Sequence, residues 1–128
     1  MDTDWELEDW LLDVGERVEQ KATAGGELTP VERLIREFWV FDMHTRNGGV
    51  SQYFCNYGAE QWQALKSAWL PNDVPGLGPI LSEVDRVIAG AADPYEATLN
   101  ATPDIEEFYD AHQLNVRREL RSLALDLP

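Results

Sequence analysis

The chain has 128 residues, the size of one domain, since domains commonly run about 100–150 residues. Hydrophobic residues make up 44% and include five Trp, four Tyr and four Phe, so the chain carries enough apolar surface for a core and is no disordered acidic tail. Ten Lys and Arg face 24 Asp and Glu, a formal charge of −14. That charge opposes unassisted binding to nucleic acid or anionic lipid and favours basic partners. One cysteine, Cys55, excludes an internal disulfide, and the start Met1-Asp2-Thr3-Asp4 lacks the basic opening and apolar run of a signal peptide. No stretch of about 18 apolar residues occurs, so a cytoplasmic protein without a membrane span is expected.

The elements follow in chain order. Thr3-Asp4-Trp5-Glu6 has the pattern of a capping box, and Leu7, Leu11, Val14 and Val18 recur at helical spacing, predicting a helix to about Gln20. Residues 21–28, with two adjacent glycines, read as a loop. Thr29-Pro30-Val31-Glu32 supplies a cap, a proline at the first helical position and a reciprocal glutamate, opening a second helix to about Thr45. Asn47-Gly48-Gly49 should stop it, because glycines accept the left-handed backbone of a helix end. Residues 50–57 fit a short helix or a strand. Helix is the choice, because no second strand candidate exists to pair with. Ala59 to Leu70 is a further helix, Pro71 to Gly78 a loop, and Ile80, Leu81, Val84, Val87 and Ile88 mark a helix ended by Gly90. Asp93-Pro94 starts a short one. Thr102-Pro103-Asp104 opens the longest, with Ile105, Phe108, Tyr109, His112, Val116, Leu120 and Leu123 on one face, which must be buried. The expected architecture is one all-α domain, residues 1–128, of about six or seven helices.

Acidic residues concentrate in residues 2–19, which hold eight acids against Arg17. Glu6, Asp9, Asp13 and Glu16 share one face of the first helix, about 150° from its apolar face. Successive members rise about 4.5–6 Å along the axis, comparable to the roughly 3.4 Å rise per nucleotide of phosphates on a nucleic-acid strand. A basic DNA-binding surface suits such a stripe. The plainer reading is a solvated face with acids that favour the helix dipole. Trp5 and Leu12 fall beside Glu8 and the stripe rather than on the buried face, which suggests a contact surface, a homodimer interface included. The candidate partner-binding residues are therefore Asp4, Trp5, Glu6, Glu8, Asp9, Leu12, Asp13 and Glu16. Asp104, Glu106, Glu107 and Asp110 open a helix that closes with Arg117, Arg118 and Arg121, an arrangement that complements the macrodipole without a ligand.

Chemistry finds little footing. His44, Cys55 and His112 sit in different elements without metal-ligand spacing, so no metal, cofactor or catalytic residue is assigned. Cys55, among Tyr53, Phe54 and Tyr57, reads as a small buried hydrophobe, and His112 as a core residue. Gln52 and Asn56 lie four apart and can brace the Asn47-Gly48-Gly49 turn by hydrogen bonds or meet a ligand, bracing being the preferred use.

Asn47, Gly48, Gly49, Gln52, Tyr53, Phe54 and Asn56, with Gly58 one place early, resemble the Asn-Gly-Gly-x-x-Gln-Tyr/Phe-Phe-x-Asn-x-x-Gly signature of a bacterial domain family of unknown function that includes a DNA-mimic protein. The likeness runs from about Thr29 to Ile88, with the ends of the chain alike only in character. It implies an all-helical fold and, by analogy with that member, an acidic surface that occupies the DNA-binding face of a transcription factor. Three functions are then in view. The first is an acidic module, a DNA mimic, for a basic DNA-binding protein; the second is an immunity-type protein for a basic nuclease toxin. The third is an enzyme using Gln52, Cys55 and Asn56, which predicts a deep pocket there.

Overall fold

A computed structural model describes residues 4–125 of the protein, with the side chains of residues 102 and 103 left aside. Among the described residues there are seven helices and no strand: α1 Asp4–Thr23, α2 Pro30–Gly48, α3 Val50–Asn56, α4 Ala59–Trp69, α5 Leu77–Ile88, α6 Pro94–Asn100 and α7 Thr102–Ala124. The all-α expectation holds, including the choice of helix for residues 50–56. Thr3, the expected cap of α1, lies outside the described residues.

α2 is the central element and packs against α1, α3, α4 and α7, while α7 also packs on α1 and α5. The reason α2 starts where it does is local. The Thr29 hydroxyl accepts from the Glu32 N–H at 3.2 Å, and the Glu32 carboxylate accepts from the Thr29 N–H at 2.9 Å, satisfying two otherwise unpaired donors. Its inward face carries Leu34, Ile35, Phe38 and Phe41, all fully buried. Phe41 meets Tyr53 and Tyr109 edge to face, with ring centroids 5.0 Å and 5.7 Å apart.

Three helix boundaries differ from expectation. α1 runs on to Thr23, past Gln20 and into the expected loop. α2 continues through Gly48, and only Gly49 takes the left-handed backbone, at φ 86°, with its N–H donating to the Thr45 carbonyl at 2.8 Å. α5 begins at Leu77, so Gly78 is helical rather than the end of a loop. Its start is capped from outside: both oxygens of Glu119 on α7 accept from the Gly76 N–H, at 3.0 and 3.1 Å. A carboxylate at a helix N-terminus satisfies a donor and complements the dipole together.

The buried stripe of α7 includes Ile105, Tyr109, Val116 and Leu120, with Phe108 and Leu123 partly buried. His112 is half-buried rather than in the core: its ring stacks on Phe108 at 4.3 Å and its Nδ1 donates to the Phe108 carbonyl. Sealed inside instead is Arg117, at 1% exposure.

Candidate functional site

α1 is amphipathic because Leu7, Leu11, Val14 and Val18 recur every three or four residues and lock against the core. Gly15 lets the helix approach closely: a Cβ there would stand 2.5 Å from the Trp39 ring on α2. This clamp fixes the rotation of α1 and turns Glu6, Asp9, Asp13 and Glu16 outward, all of them exposed. Asp4 is exposed too, and Trp5 and Leu12 remain 67% and 47% exposed beside the carboxylates. A shallow cavity of about 570 Å³ lies on this face, lined by Trp5, Asp9, Leu12, Asp13 and Glu16 of α1 and by Arg121 of α7. Asp13 pairs with Arg17 at 3.1 Å, an open contact on the same helix that contributes little to stability.

Glu8 is placed apart from that face. It is half-buried and binds Arg46 Nη1 at 2.9 Å, joining a network that the sequence does not announce. Arg46 Nε donates to Asp42 at 3.0 Å, Arg117 Nη2 donates to the same carboxylate at 2.7 Å, and the Tyr109 hydroxyl donates to it as well. Asp42 is fully buried, so a single carboxylate ties α2 to α7 and, through Arg46, to α1. Burial, followed by the neighbouring Asp42 charge, pushes the Tyr109 phenol well above its ordinary range and keeps it a donor. Arg46 stays charged, because Asp42 and Glu8 outweigh the effect of its burial.

The Asn47-Gly48-Gly49 segment is the joint between α2 and α3. Gln52 folds over Gly48, where an added Cβ would fall 1.7 Å from its Oε1. The expected bracing by hydrogen bonds is absent: among the described residues neither Gln52 nor Asn56 makes a side-chain hydrogen bond, and Gln52 acts by packing alone. Tyr53 and Phe54 enter the core, while Asn56 is exposed.

Cys55 is exposed, against the expectation of a buried hydrophobe, because α3 turns Val50, Ser51, Tyr53 and Phe54 inward and leaves Cys55 on its outer side. Among the described residues, Gln52, Cys55 and Asn56 line none of the better-formed cavities. His44 is engaged with the Val40 carbonyl and the Tyr57 ring. Among the described residues no group of three or more His, Cys, Asp or Glu side chains is placed to hold a metal ion, and no helix is long and apolar enough to cross a membrane.

No curated protein and no solved structure matches the chain. A family model does, over residues 26–116, which begins before Thr29 and extends beyond Ile88 through most of α7, leaving α1 outside the match. The central bundle, with the Asn47-Gly48-Gly49 joint and with Asp42, Arg46 and Tyr109 of the buried network, lies within it, Arg117 falls one residue beyond it, and the chain belongs to the DMP19-like protein family.

Proposed function

We propose that the protein is an acidic binding module whose α1 face occupies the basic nucleic-acid-binding surface of a partner protein, in the manner of a DNA mimic. The observation that carries this reading is the outward row Glu6, Asp9, Asp13 and Glu16, set beside exposed Trp5 and Leu12 on a helix whose rotation is fixed by the core. A row of carboxylates attracts a basic surface over a Debye length and speeds encounter. The flanking indole and leucine supply apolar contact area of the kind that holds a complex once formed. The α1 sequence carries this face independently of the family-matched bundle, which acts as its rigid support.

The test is competition. The immobilised protein should retain a DNA-binding protein at low salt and release it to duplex DNA, because the two ligands claim one surface. A ternary complex with duplex DNA, or retention equal in Asp9→Lys/Asp13→Lys/Glu16→Lys, would overturn the proposal.

A further inference from the structure

A cavity of about 630 Å³ opens between α2 and α4 and shares no lining residue with the α1 face. Leu28, Pro30, Ala64, Ala68 and Pro71 give it a mostly apolar lining, and the small side chains of Ala64 and Ala68, one turn apart on α4, keep it open. Its size falls within the roughly 300–1,000 Å³ of ordinary small-molecule sites, which are apolar with a few fixed polar groups.

The polar group that marks this cavity is Arg33. It lines the wall from an exposed position, and among the described residues its guanidinium has no hydrogen bond and no ion pair, in a chain with 24 acids for ten Lys and Arg. The reason lies in its neighbours. Three and four places away stand Thr29, Pro30, Arg36 and Glu37, so Glu37 is the one acid in reach along the helix. Gln61 of α4 holds that carboxylate instead, its Nε2 donating to both oxygens. Arg36 lines the same wall, with Nε and Nη2 spent on Glu19. Two guanidiniums one turn apart therefore border the cavity, one of them with all its donors unspent. Like charges at that spacing repel, and an anion placed between them relieves the repulsion.

We infer that the cavity binds a small amphipathic carboxylate, its apolar body laid against Leu28, Ala64, Ala68 and Pro71 and its carboxylate on the Arg33 guanidinium. The planar fork of a guanidinium meets a carboxylate with two parallel N–H donors, and the apolar body gains in proportion to the area it takes out of water. The chain as a whole repels anions, so such a ligand is selected by these local cations against the net charge. This site goes beyond the α1 reading and does not depend on it.

Octanoate below its micelle concentration is the probe, followed by amide chemical shifts in the intact protein. Saturable shifts are expected at Arg33, Arg36, Ala64 and Ala68, whereas octylammonium, which the net charge of −14 favours, should leave those amides unmoved. Arg33→Gln, at an exposed position, should weaken octanoate binding roughly tenfold, as expected from losing a charge-assisted hydrogen bond. Ala64→Trp fills the cavity from an exposed position and should abolish the shifts, and Asp9→Lys/Asp13→Lys/Glu16→Lys should leave them in place. No saturation, equal binding in Arg33→Gln, or octylammonium competing equally would overturn the inference. So would a dimer that Ala64→Trp dissociates while octanoate fails to bind, because the cavity would then belong to a second copy of the chain.

Discussion

Replacing Asp42 by asparagine keeps the side-chain volume and removes the charge that faces Arg117. Both side chains are 1% exposed, and Arg117 would be left with neutral acceptors only, the new amide and the Gln113 carbonyl at 2.7 Å, its Nε already lacking a partner. A pair of unit charges about 4 Å apart interacts by roughly 4 kcal/mol at an effective dielectric near 20, comparable to the cost of drying the ions. The intact pair therefore adds little net stability, yet breaking it strands a buried cation, at about 3–5 kcal/mol. For 128 residues the unfolding entropy is about 0.27 kcal/mol/K, so melting should fall by about 11–19 °C. Urea unfolding followed by tryptophan fluorescence measures the loss. In Asp42→Asn/Arg117→Met no ion is stranded, and the double variant should be more stable than Asp42→Asn by about 2 kcal/mol or more. A loss under about 1 kcal/mol in the single variant, or additive effects in the double, would refute this account of the network.

Two further perturbations probe the support of the site. Burial raises the Glu37 carboxyl above its ordinary 4.5, Arg36 opposing and Glu19 adding to the shift, with Gln61 donating to it. A folded value above the unfolded one means that its contribution is fully present below 4.5 and is lost as pH rises through the folded value. Glu37→Gln should thus be more stable than the parent near neutral pH and lose that advantage below 4.5, as unfolding midpoints across pH will show; an advantage that grows on acidification contradicts it. Gly15→Ala forces a methyl to 2.5 Å from the Trp39 ring, and overpacking of about 1–3 kcal/mol should exceed the gain of up to about 1 kcal/mol in helix propensity. Net stabilisation in thermal melts would show that α1 is not clamped there.

The sequence is most legible where the cause of structure lies within one turn. The Thr29-to-Glu32 capping box and the Asp93-Pro94 start are spelled out by neighbouring residues, and both open helices as expected. The start of α5 is illegible because its cap, Glu119, lies 43 residues away. Arg117 looks like a dipole-complementing cation on an exposed helix end, and only its approach to Asp42, 75 residues distant, makes burial tolerable. On α1 the helical period alone separates the apolar face from Glu6, Asp9, Asp13 and Glu16. The same period leaves Glu8 beside them, and nothing local shows that Arg46 draws it away.

The proposed function stands on recognition of the α1 carboxylates as an ordered row. Its most direct measurement is the affinity for the captured DNA-binding partner across a salt series, for the parent and for Asp9→Lys/Asp13→Lys/Glu16→Lys. Parent affinity should fall steeply with salt and be largely gone by about 0.5 M, and the reversed protein should bind at least roughly a hundredfold more weakly at low salt. Affinity that is flat across the series and unchanged by reversal would contradict it.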